Sequence, residues 1–154
     1  MFSRILVALD GSTAAEEILP HVEALADKFG ATVILLRAIP ALERAVAAQA
    51  GIAAGLVDPT PVIEQERSEA THYLERVGER LISRGLSIVW QQPEGSASEL
   101  ILEHAQASNA DLIALTTHGR GGLGRAVFGS VADEVLRRAC CPVLLLRVTE
   151  ESRP

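Results

Sequence analysis

The chain has 154 residues, 48% of them hydrophobic and 22% charged, enough apolar surface for one domain core and too much for wholesale disorder. A net charge of −6 argues against non-specific nucleic-acid binding, which needs a basic surface. No apolar run approaches the roughly 20 residues of a membrane span, and Met1-Phe2-Ser3-Arg4-Ile5 enters a strand-like run without a secretory layout, so the expected compartment is the cytoplasm.

Short apolar runs alternate with longer amphipathic stretches. Ile5 to Leu9 reads as a buried strand ended by Asp10-Gly11-Ser12. Thr13-Ala14-Ala15-Glu16 has capping-box spacing, and Ile18, Val22, Ala26 and Phe29 then share one helical face before Gly30. Pro20 either sits in a first turn or kinks this helix. Thr32 to Ala38 is a second strand. Pro40 to Pro61, rich in alanine with Gly51, Gly55 and Pro59, reads as a long excursion within the domain. Val62 to Arg84 follows as a charged amphipathic helix that turns Ala70, Leu74, Val77 and Leu81 inward.

Leu86 to Trp90 is the third strand, and Ser96-Ala97-Ser98-Glu99 opens a helix burying Leu100, Ile101 and Ala105. Asp111 to Leu115 is the fourth strand, Ser130 caps the next helix, and Pro142 to Leu146 is the fifth strand, with proline at its tolerated first position. Adjacent Cys140 and Cys141 cannot staple distant segments and lack zinc-site spacing; they read as small apolar residues entering that strand. Lys28 is the only lysine and lies far from any glycine-rich loop. His21, His72 and His104 fall on helices as surface or packing residues. Five nearly all-apolar strands separated by helices give an α/β domain, a parallel sheet covered on both faces. Ligands of such sheets bind beyond the carboxyl ends of the strands, where strand order reverses.

Two loops stand at that end: Asp10-Gly11-Ser12 and the segment Thr116 to Ser130. In the second, glycines free backbone N–H groups, a helix start adds donors and partial positive charge, and Arg120 and Arg125 offer counter-charge, a combination suited to an anion. Gly119 to Gly124 matches G-x-G-x-x-G, but the helix begins only near Ser130, which demotes a dehydrogenase; no Gly-Lys-Ser/Thr phosphate loop occurs.

Thr116-Thr117-His118-Gly119, nine residues, then Gly129-Ser130 resembles the nucleotide signature of the universal stress protein family: glycine, two residues, glycine, nine residues, glycine and Ser or Thr. The resemblance extends to Ile5–Ser12, Asp111–Ile113 and Cys141–Leu146. It implies a Rossmann-like, adenine nucleotide alpha hydrolase-like domain over 1–148, with strand order 3-2-1-4-5 and a polar tail at 149–154. It also implies ATP, or ADP or AMP, with Mg2+ on the phosphates and no metal site of the protein's own. Asp10 would then meet the ribose, flanked by the strand-end residues Ala8, Leu9 and Leu115. The backbone at Ala38 would meet adenine, and Gly119, Gly129, Ser130 and Val131 the phosphates, beside Thr116, His118 and Arg120. A homodimer through the last strand, Val143 to Leu146, and a regulatory protein partner follow from the same resemblance.

The residues keep other roles open. Asp10 can cap its turn, Ser130 its helix, and His118 can bond loop backbone instead of shuttling a proton or touching phosphate. Thr116 stands where the signature has its first glycine, so its β-carbon either crowds a phosphate or rearranges a tolerant turn. The expected function is a nucleotide-binding stress sensor or regulator with at most slow hydrolysis, no catalytic base being evident; the alternatives are an interaction module without nucleotide and a true ATPase.

Overall fold

A computed structural model describes residues 1–39, 41, 55, 58–118 and 129–148, with only the backbone of His118. Strands β1 (Arg4–Ala8), β2 (Thr32–Leu36), β3 (Ser87–Gln91), β4 (Leu112–His118) and β5 (Val143–Val148) form one sheet in the order β3-β2-β1-β4-β5, the predicted 3-2-1-4-5. Every pairing is parallel, with Val7 opposite Leu35 and Leu6 opposite Ile113. Parallel neighbours need long crossovers, and these are supplied by helices α1 (Thr13–Glu16), α2 (Leu19–Phe29), α3 (Thr60–Ile82), α4 (Ala97–Ala107) and α5 (Ser130–Arg138).

Side chains alternate across the sheet, so β1, β2, β4 and β5 each feed two cores. Ile5, Val7, Val33 and Leu35 pack with Ile18 and Val22 of the α1–α2 segment and with Leu74, Val77 and Leu81 of α3. Leu6, Leu36, Ile113 and Leu115 pack on the opposite face with Ile101 and Ala105 of α4 and Ala132 and Val135 of α5. The four inward residues expected on the long helix, Ala70, Leu74, Val77 and Leu81, are all buried.

Pro20 resolves as a first-turn residue, because the predicted single helix is two. Ser12, rather than Thr13, caps α1 by accepting a bond from the Ala15 amide at 3.1 Å; α2 starts afresh at Leu19 with Pro20 in its first turn, where a missing N–H is harmless. Gly30 closes α2 in the left-handed conformation, φ 64°. Along α3, Arg76 and Arg80 reach Glu16 at 3.7 and 2.9 Å and Arg84 pairs with Glu23, stitching α3 to α1 and α2. Such exposed pairs contribute ~0–1 kcal/mol each, so apolar burial dominates this seam.

Gly78 lies inside α3 against β3. A β-carbon there would make ordinary contacts, 3.7 Å to Ile88 and 3.8 Å to Trp90. Gly78→Ala is therefore expected to stabilise the fold by about 0.5–1 kcal/mol through helix propensity, read as a raised urea midpoint at unchanged slope.

Three expectations are corrected. β3 is an edge strand and not a fully buried one: Val89 and Trp90 are 48% and 37% exposed. Cys140 is exposed and Cys141 only half-buried, both ahead of β5, because the chain is still leaving α5 there. Leu100 is half-buried where full burial was expected, with Ser98 taking the inward position one turn before Ile101. Thr60 and Pro61 already belong to α3; residues 40, 42–54 and 56–57 of the predicted excursion, and the tail 149–154, lie outside the described residues. No helix among the described residues is long and apolar enough to cross a membrane.

Candidate functional site

The sheet's order reverses between β1 and β4. From β1 the chain leaves over one face toward β2, and from β4 over the other toward β5, so their carboxyl ends part into a crevice. A cleft of about 240 Å³ occupies it. Nine predicted site residues line this cleft together: Ala8, Leu9 and Asp10 after β1, Ala38 after β2, Leu115 and Thr116 of β4, and Gly129, Ser130 and Val131 at the start of α5. Gly119 and Arg120, and the side chain of His118, lie outside the described residues.

The remaining lining comes from Ala15, Leu36, Ala97, Ile101 and Ala132, which sequence reasoning did not single out. Small side chains leave the crevice hollow, and an apolar wall with few polar groups suits a flat ring system. Leu36 is the last residue of β2 and so at the ligand-facing end. Ala97 opens α4, whose crossover from edge strand β3 to central β4 passes over the crevice. Only the strand order carries that signal.

Asp10 has the turn-capping role foreseen for it: its Oδ1 accepts bonds from the Ser12 amide at 2.9 Å and the Ser12 hydroxyl at 2.6 Å, and the Ser12 oxygen then caps α1. This chain of bonds fixes the carboxylate at the cleft wall. Beneath the turn, the Arg37 guanidinium lies 5.2 Å over the ring of Tyr73. Burial, then the Glu16 and Asp10 carboxylates, push the Tyr73 phenol well above the usual tyrosine range, so it stays neutral beside them.

The α5 start departs from expectation. Ser130 is the first helical residue, not the cap; Gly129 occupies the cap position with φ −54° and ψ 153°, and no side chain among the described residues caps this end. The first intrahelical bond is Asp133 N–H to the Gly129 carbonyl, 3.0 Å, so the amides of Ser130, Val131 and Ala132 precede the ladder at the positive end of the helix dipole. One turn further, Glu134 accepts a 2.6 Å bond from the buried Ser98 hydroxyl of α4 and pairs with Arg138 at 2.6 Å, which docks α5 on α4. Those same two partners, Ser98 first, lower the Glu134 pKa.

Thr116 is not in a loop. β4 continues through His118, with Thr116 opposite Leu146 and Thr117 opposite Arg147, since β-branched residues extend a ladder readily. The choice between a crowded phosphate and a rearranged turn thus narrows, because no turn exists at Thr116. Among the described residues no three His, Cys, Asp or Glu side chains gather around a metal position.

This crevice, with an acidic turn on one wall and an open helix start on the other, accompanies a whole-chain match. The sequence profile of the universal stress protein family matches residues 1–147. The chain belongs to that family. It is 29% identical over 147 residues to the universal stress protein MJ0531 of Methanocaldococcus jannaschii, covering 96% of this chain and 83% of that one. The solved structure of MJ0577, from the same organism, superposes with a TM-score of 0.79 at 26% identity, covering 97% of this chain and 99% of the other. A family protein from Arabidopsis thaliana, solved with AMP bound, has a TM-score of 0.67 at 14% identity over 99% of this chain and 95% of its own; that likeness is one of fold. The strand ends and the α5 start are brought together by sheet order rather than by nearness in sequence.

Proposed function

We propose that this universal stress protein binds an adenine nucleotide in the crevice and acts as a stress sensor or regulator with at most slow hydrolysis. The observation that carries the reading is the start of α5, which no side chain among the described residues caps and whose leading amides at Ser130 and Val131 stand at the cleft that Asp10 also lines. Backbone amides at a helix N-terminus hold phosphate, a carboxylate accepts ribose hydroxyls, and main chain at Ala38 meets a purine edge without a particular side chain. Mg2+ would bind through the nucleotide's phosphates. The AMP bound to the Arabidopsis relative supports this choice of ligand class.

The same reading pairs two copies through β5. This edge strand carries Val143, Leu144, Leu145 and Leu146, all half-buried, beside Leu136 at 39% exposure, and a partner strand would cover its open edge. The free thiols of Cys140 and Cys141 fit a reducing, nucleotide-containing compartment such as the cytoplasm.

The test is direct. Protein purified from cells is denatured and its released small molecules analysed, and ATP, ADP and AMP are then titrated with and without Mg2+. An adenine nucleotide in the extract, or a saturable heat with one of the three, is expected. Neither appearing would sink the reading.

A further inference from the structure

Arg37 stands directly after β2, one residue before the cleft-lining Ala38. Its backbone is pinned, its amide donating to the Gln91 carbonyl at 3.1 Å, while the preceding Leu36 carbonyl accepts from the Leu9 amide at 2.9 Å. The side chain turns back toward β1. Its guanidinium atoms Cζ, Nη1 and Nη2 lie 2.9, 3.0 and 3.1 Å from where a β-carbon on Gly11 would sit, so the Asp10–Ser12 turn rests on the fork with no room for a side chain between them. Gly11 has φ +88°, a conformation that glycine adopts freely.

The fork is held from below by Tyr73, over whose ring it lies at 5.2 Å. The neighbouring arginines are occupied differently: Arg76 and Arg80 engage Glu16, and Arg76 also lies 5.3 Å from the Tyr73 ring. Among the described residues, Arg37 is the cation that lies against the acidic turn, which it supports sterically, while its Nη1 also donates to the Glu69 carbonyl of α3 at 3.5 Å.

We propose that Arg37 is a positioning residue for the ribose: it wedges the Asp10–Ser12 turn from behind, so that the Asp10 carboxylate is already placed for the sugar hydroxyls. This rests on the nucleotide reading above. A carboxylate ordered before binding loses less freedom when it engages a ligand, and that gain reaches only ligands carrying the hydroxyls.

The experiment compares ATP with 2′,3′-dideoxy-ATP by calorimetric titration on wild-type protein, Arg37→Ala and Arg37→Met. The methionine variant keeps an apolar stem over Tyr73 and supplies the same readout should the alanine variant not fold. Wild-type protein is expected to prefer ATP by about tenfold or more, the worth of a hydrogen bond to a charged group. Both variants are expected to lose most of that preference, to within about threefold, while binding dideoxy-ATP within about twofold of wild type. A variant that keeps the full preference, or that weakens both nucleotides equally, overturns the proposal. Wild-type protein that binds both nucleotides equally also overturns it and leaves nucleotide binding standing. Wild-type protein that binds neither overturns the nucleotide reading itself.

Discussion

Gly129→Val is expected to leave the protein folded while weakening adenine-nucleotide binding by about 10–100-fold, the loss of one charge-assisted hydrogen bond or more. The two halves of that expectation have separate causes. At φ −54° and ψ 153° the backbone of Gly129 is open to any residue, and no described atom lies within 4 Å of an added β-carbon. Replacing a glycine cap by valine costs about 1 kcal/mol or less of helix stability. In the cleft, however, the branched side chain would stand at the amides of Ser130 and Val131, where the phosphates are proposed to sit. Thermal unfolding and calorimetric titration on the same preparation separate the effects. Affinity within twofold of wild type would remove the phosphates from this helix end. Ser130→Ala is the companion variant: Gly129, not Ser130, holds the cap position, so a loss of affinity there reports on ligand rather than on a lost helix cap.

How far the residues announce this arrangement depends on which forces act locally. Apolar periodicity located all five strands and four of the five helices, because burial sets those patterns and each has its own period. The sheet order came with the family resemblance, and the structure bears it out. What periodicity does not encode is position within the sheet. Val89 and Trp90 look as apolar as Leu35 and Leu36, yet β3 is an edge strand and β2 is not.

At α1 and α5 the cap lies one residue before the position that the sequence predicts, for one reason. Ser12 and Thr13 are both competent caps, as are Gly129 and Ser130, so residue type alone does not choose between cap and first turn. At Asp10 the two roles weighed from the sequence were a turn cap and a ribose contact. The bonds to Ser12 establish the first, and by holding the carboxylate on the cleft wall they are compatible with the second. The α4 contribution, Ala97 and Ile101, was illegible because alanine and isoleucine at a helix start carry no chemical signal until the crossover is known to pass over the crevice.

Gly11→Ala is expected to destabilise the fold by about 1.5–3 kcal/mol. Two contributions add. A left-handed φ of +88° costs a non-glycine residue about 1–2 kcal/mol. The new β-carbon would also meet the Arg37 fork at 2.9 Å, and the fork, being the mobile end of a long side chain, would yield by leaving Tyr73, forfeiting about 0.5–1 kcal/mol of cation–π attraction. Urea unfolding of Gly11→Ala, Arg37→Ala and the double variant separates the two. In the Arg37→Ala background the cost should fall to the backbone contribution alone, about 1–2 kcal/mol. An unchanged cost would mean that turn and fork do not press on each other, and that the placement of Asp10 owes nothing to Arg37.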